Sequence, residues 1–207
     1  MPTSETRTQR RAAANRRSVI DAAREIIATH GTEALTLEAV AERADVAIQT
    51  IYNRVGGRSA LLVAVAELAM EENRAYMDAA YATPGRPEER LLRAAAEYVR
   101  FARERPHEFQ ILANPPHEPE TLERIADLTR EQNAKLADVF RDGIASGTAR
   151  ADLDPDRLAT ALWASLNGLL SLTSRTDTLR VDHDELDVLV ATFTAAVTDG
   201  LRAPTAQ

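Results

Sequence analysis

The chain has 207 residues, of which 44 % are hydrophobic and 28 % charged, with a formal charge of −7; these values suit one large or two small globular domains. The absence of cysteine excludes a disulfide framework and a thiolate zinc site. No run of about 18 apolar residues is present to span a membrane, and the Arg-rich start lacks the apolar stretch of a secretory signal, so a cytoplasmic protein is expected.

Ala, Leu, Arg and Glu fill long stretches between eight glycines and nine prolines, which favours helix because these side chains lose little freedom there. Residues 1–14, with Arg7, Arg10 and Arg11, have no apolar period and read as a flexible arm. From Asn15 to Thr29, Val19, Ala23, Ile26 and Ile27 follow helical spacing, and His30-Gly31 supplies a stop. Thr36 then caps a short helix marked by Leu37, Val40, Ala41 and Ala44. After the break Asp45-Val46-Ala47, Ile48, Ile51, Tyr52 and Val55 repeat the same period, which predicts an inward face made by all four. Gly56-Gly57 ends that helix, and Arg58 opens a long one to about Tyr81.

Beyond the loop Thr83–Pro87, helices are predicted at about 88–104 and 106–113, with Pro106 in a first helical turn. A Pro-rich break at Asn114–Pro119 leads to a helix from about Glu120 to Ser146. Asp154-Pro155 starts another to about Thr173, and the last runs from about Asp184 to Asp199, stopping at Gly200. No strand-like alternation persists, so the expected fold is all-α, with about nine helices. The division expected is an arm at 1–14, a head at 15–74, a larger body at 75–202 and a tail at 203–207.

Charge is unevenly placed. Residues 1–58 hold nine Arg against seven acids, a net of +2, while 59–207 hold 16 basic against 25 acidic groups, a net of −9. A locally basic head on an acidic body is compatible with a polyanionic partner, because salt screens the distant charge. Two short helices with a tight break can place the second in the major groove of DNA. Gln49, Thr50, Asn53 and Arg54 then point outward, and these residue types pair with base edges. On pattern alone, plain structure fits the same two helices equally well.

The run from Thr36 through Val55, followed by Arg58-Ser-Ala-Leu-Leu and preceded by Ile20-Asp-Ala-Ala-Arg-Glu-Ile-Ile, resembles tetracycline-repressor-type (TetR family) regulators. The resemblance covers about residues 15–70. It implies a helix-turn-helix at about 36–55, with Thr36, Gln49, Thr50, Tyr52, Asn53, Arg54 and Arg58 as DNA-contacting residues and Arg58 bound to phosphate. Three positions depart from the family pattern: Asp45 stands for the usual turn glycine, Ala47 for a serine cap and Val55 for an aromatic. The body resembles the family more loosely, around Phe140–Gly147 and Trp163–Gly168. There Asn167 occupies the histidine position of a Trp…His-Gly subgroup.

The resemblance implies a homodimer, a palindromic operator and release by a small, largely apolar effector. Pocket candidates are Met70, Tyr76, Tyr98, Phe101, Phe109, Phe140, Trp163 and Asn167. Interface candidates are the stripes Leu158, Leu162, Leu166, Leu169 and Leu186, Leu189, Val190, Phe193, Val197. No catalytic site, cofactor or metal site is expected: the four histidines have no ligand spacing, and Gly56-Gly57 lacks a phosphate-loop pattern. The competing reading is a helical protein–protein adaptor without DNA affinity.

Overall fold

A computed structural model of the protein describes residues 6–115 and 117–203. Nine α-helices form among them: α1 Arg7–His30, α2 Leu37–Ala44, α3 Ile48–Arg54, α4 Arg58–Ala82, α5 Pro87–Glu104, α6 Pro106–Ala113, α7 Pro119–Ala145, α8 Pro155–Ser171 and α9 His183–Leu201. Short 3-10 turns follow α1 at Thr32–Ala34 and α8 at Leu172–Ser174. No strand forms among the described residues beyond one antiparallel bridge, Ala149 with Arg202.

Two expectations are corrected at helix ends. The arm is helical from Arg7 rather than flexible; its residues 1–5, like 204–207 of the tail, lie outside the described residues. Thr6 and Gln9 form a capping box: Thr6 Oγ1 accepts from Gln9 N (3.3 Å) and Gln9 Oε1 accepts from Thr6 N (2.8 Å). An exposed helix has no apolar face, so hydrophobic periodicity cannot report it. At the other end α9 runs through Gly200 to Leu201. Its C-terminus is held by Arg150 N, which donates to Leu201 O (2.9 Å), and by Ala203 N, which donates to Thr148 O (3.2 Å).

The chain divides within α4 and α7 into two compact units. One takes residues up to Glu72 with Arg105–Asp127, the other Asn73–Glu104 with the residues from Leu128 on. In the first unit α1 packs on α2 and α3. Val19, Ile20, Ala23, Ile26 and Ile27 are buried, as are Leu35, Val40, Ile51, Leu61, Leu62 and Val65. A charged network links three of its helices. Arg24 Nε of α1 donates to Glu108 Oε1 of α6 (2.5 Å), and Arg24 Nη2 lies 2.8 Å from Glu72 of α4. Arg105, before α6, holds the other Glu72 oxygen at 3.0 Å. The Glu108 side chain is only 8 % exposed.

In the second unit Leu91, Leu136, Val139, Phe140, Ala159 and Leu162 form a core, with Tyr81, Leu158, Phe193 and Val197 packed against it. The stripes expected at a dimer interface lie on α8 and α9. Leu162, Leu166 and Leu186 are buried within the chain, and Leu158, Leu169, Leu189, Val190, Phe193 and Val197 are half-buried. Six of these nine residues thus keep exposed surface on the single chain. The outward stripes are small: Ala161, Ala164, Ser165 and Gly168 on α8, and Val188, Ala191, Thr192 and Ala195 on α9.

Candidate nucleic-acid interface

Local chemistry fixes the helix-turn-helix. Thr36 has extended geometry, and its Oγ1 accepts from Ala39 N (3.1 Å), so α2 begins with the expected cap. Asp45 ends α2 in the left-handed region (φ 52°, ψ 50°), as its position in place of a turn glycine required. Val46 N then donates to Ala41 O (3.0 Å), which closes the turn, and Val46 is half-buried there. Ala47 begins α3 with no side-chain cap.

The inward face of α3 is narrower than its period suggested. Ile51 is fully buried and Val55 half-buried, whereas Ile48 is 37 % and Tyr52 53 % exposed. A seven-residue helix has room for one deep anchor. Its open face therefore carries Ile48, Gln49, Tyr52 and Asn53 together, with Arg54 exposed beside them and Thr50 half-buried. Gln49 Nε2 donates to Asn53 Oδ1 (3.2 Å), one turn along the helix. Two neighbouring exposed amides present both donors and acceptors, the equipment for adenine edges in a major groove. Tyr52 adds an exposed phenol next to them.

The turn after α3 depends on Gly56. Its φ is +116°, and an added Cβ would lie 2.9 Å from Ala60 Cβ. Gly56→Ala is expected to cost about 2 kcal/mol through strain and that clash, read as a lower urea midpoint in an unfolding titration. An unchanged midpoint would mean that the α3–α4 turn relaxes freely.

Arg58 is placed differently from the rest. Nε donates to Leu35 O (2.9 Å) and Nη2 to Thr32 O (2.8 Å), while Nη1 pairs with the Glu118 carboxylate. The guanidinium thus ties the start of α4 to the segment that leads into α2 and to the residue before α7. The resemblance implies a phosphate contact for Arg58; three of the five guanidinium N–H donors are engaged from within the unit.

The pocket candidates are drawn from both units. Met70 and Phe109 are buried in the first unit. In the second, Phe101 is fully buried, with Tyr76 edge-on at 5.6 Å between centroids and Tyr98 at 6.4 Å. The Tyr98 hydroxyl donates to Asn167 Oδ1 (2.7 Å), and Trp163, one turn before Asn167 on α8, also bonds this phenol. Burial pushes the Tyr98 ionisation well above the usual phenol range. Tyr76 donates to Glu104 Oε2 (2.6 Å) beneath the Arg100 guanidinium. Phe140 lies apart, lining a small cavity of about 50 Å³ with Pro87, Leu91 and Leu201.

Sequence reasoning missed two buried amides in this unit. Asn73 Nδ2 of α4 and both amide atoms of Gln132 of α7 have no hydrogen-bond partner among the described residues. Buried polar groups are nearly always paired, so such exceptions call for a partner. A helical period cannot distinguish an inward amide from an outward one. Among the described residues no group of three or more His, Asp or Glu is placed to hold a metal, and no helix is long and apolar enough to cross a membrane.

Comparison with known proteins bears on both units. The family of bacterial regulatory proteins of the tetR family matches residues 19–65, and the tetracyclin repressor-like C-terminal domain matches residues 91–204. No curated protein matches the sequence. Among solved structures, a protein of unknown function from Rhodococcus sp. RHA1 is similar at a TM-score of 0.77 and 20 % identity, covering 98 % of this chain and 99 % of that one. The fatty acid degradation regulator FadR from Bacillus halodurans has a TM-score of 0.75 and 19 % identity, covering 92 % and 97 %. The ketosteroid transcriptional regulator KstR2 of Mycobacterium tuberculosis has a TM-score of 0.63 and 18 % identity, covering 91 % and 95 %.

Proposed function

This chain belongs to the TetR family of bacterial regulatory proteins, and on that premise we propose that it is a homodimeric repressor released from a palindromic operator by an apolar effector. As a regulator of this family it is a DNA-binding transcription factor and not an enzyme. The observation that carries the reading is the exposed Gln49–Asn53 amide pair on α3, braced from behind by buried Ile51. Thr50, Tyr52 and Arg54 flank that pair, and Thr36 caps the helix that supports it. The adaptor alternative has less support, because it gives no role to a polar helix presented on a capped turn.

Dimerisation follows from reach. One short helix covers few base pairs, whereas a two-fold pair reads both halves of a palindrome. The outward stripes of small residues on α8 and α9 suit close helix packing, with Val188 the large apolar side chain most exposed there. For the effector, the aromatic group around Phe101 supplies an apolar wall. The Tyr98–Asn167 pair and the unpartnered amides of Asn73 and Gln132 supply polar contacts. Two similar folds come from regulators named for fatty acid degradation and ketosteroids, which agrees with an apolar class. An effector that binds the DNA-released state more tightly shifts the population away from the operator.

Titrating the purified chain with DNA from its own upstream region, with mass measured on the complex, tests this. Two chains per duplex are expected. A single chain per duplex would overturn the palindromic dimer, and no complex at all would favour the adaptor.

A further inference from the structure

From Arg24 onward most cations of this acidic protein sit against a carboxylate, from Arg24 with Glu72 and Glu108 to Arg202 with Glu88 and Asp199. The first turns of α1 are the exception. Arg7, Arg10, Arg11, Arg16 and Arg17 are all exposed, and among the described residues none has a carboxylate within ion-pairing distance. Residues 6–20 contain no acidic residue at all. Five unneutralised guanidinium groups on one short stretch leave a strong local positive field, whatever the net charge of the chain.

The helix sets the spacing of that field. Val19 is the first buried residue of α1, so residues 7–18 stand clear of the core over about 18 Å at 1.5 Å per residue. At about 100° per residue, Arg7, Arg10, Arg11 and Arg17 fall within one third of the helix circumference. Arg10 and Arg17 line an open groove with Ser18, Asp21, Glu25 and Arg43, the last from α2 of the helix-turn-helix and paired with Glu25 at 2.7 Å. Duplex DNA offers a phosphate charge about every 1.7 Å of axis, so a basic face of this length meets several.

We propose that the N-terminal turns of α1 form a second DNA-contacting element, in which Arg7, Arg10, Arg11 and Arg17 clamp backbone phosphates flanking the half-site read by α3. This rests on the DNA-binding reading above. The face fits a phosphate ladder better than a lipid surface. Membrane-lying helices carry bulky apolar residues opposite their cations, whereas the apolar side chains from Arg7 to Ser18 are Ala12, Ala13 and Ala14.

The test uses the full chain with Arg7, Arg10 and Arg11 replaced together by Ala, a residue that preserves helix. Binding is measured from 50 to 200 mM salt on a duplex that the native chain selects from a random pool, once with flanking base pairs and once trimmed to the half-sites. The native chain on the flanked duplex is expected to lose roughly 40-fold more affinity across that range than the triple variant, about 0.9 units of slope per lost phosphate contact. The thermal midpoint and the selected bases are expected to stay unchanged, and the trimmed duplex is expected to erase the difference. Equal slopes for native and variant chains on the flanked duplex would overturn the clamp while leaving α3 as the reader. Failure of the native chain to bind any duplex would overturn the DNA reading and the clamp with it. Retention of the native chain but not the variant on phosphatidylserine vesicles, with operator binding unchanged, would reassign the arm to a membrane.

Discussion

Replacing Arg24 by alanine is expected to lower the stability of the protein by about 3 kcal/mol. Its guanidinium bonds Glu108 through Nε at 2.5 Å and reaches Glu72 through Nη2 at 2.8 Å. Glu72 keeps Arg105, but Glu108 has no second cation among the described residues, and its side chain is 8 % exposed. Removing Arg24 therefore strands a carboxylate away from water, the costly half of breaking a buried pair. The intact pair is a weaker source of stability, because desolvation offsets most of its attraction. Replacing both residues, Arg24→Leu with Glu108→Leu, should accordingly recover most of the loss. A urea titration of the two single variants and the double variant separates these terms. If Arg24→Ala unfolds at the native midpoint, the network does not hold α1 to α6.

Arg58→Ala is expected to cost about 2 to 3 kcal/mol, since two backbone carbonyls and the Glu118 carboxylate lose a charged donor together. Arg58→Lys should restore little of this, because an ammonium cannot fork to three acceptors in fixed directions. The folded Arg58→Ala protein should keep the native salt dependence of DNA binding. A slope smaller by about one unit, with a native unfolding midpoint, would instead return Arg58 to the phosphate contacts. The two readings of Arg58 thus predict opposite pairs of results.

These cases show where sequence patterns carry information and where they stop. The helix-turn-helix was legible because its signals are local: Thr36 as cap, Asp45 as a residue tolerant of left-handed geometry, and Ile51 as an anchor. Boundaries at Pro106 and Pro155 were legible for the same reason, proline at a first turn being a backbone constraint, whereas Pro87, read as the end of a loop, is the first residue of α5. The depth of α3 burial was not. Ile48 and Tyr52 share the period of Ile51, yet a short helix touches its support along a line narrower than that face. The start of α1 was hidden because an exposed arginine helix carries no apolar signal. The partners of Arg58, Arg24 and Asn167 lie 60, 84 and 69 residues away in the chain, a separation that no local pattern encodes. A helical period also cannot separate a stripe that serves the chain's own core from one that serves a partner: on α8 and α9 Leu162, Leu166 and Leu186 are buried within the chain, whereas Leu158, Leu169, Leu189, Val190, Phe193 and Val197 keep exposed surface.

The central claim is that α3 reads base edges through Gln49 and Asn53. Selection of binding sites from a random duplex pool, run in parallel with the native chain and Gln49→Ala, tests it most directly. The predicted result is two inverted half-sites for the native chain, with one position in each half-site losing its base preference in the variant while the others persist. Identical sites from both proteins, or no enriched sequence from the native chain, would contradict it.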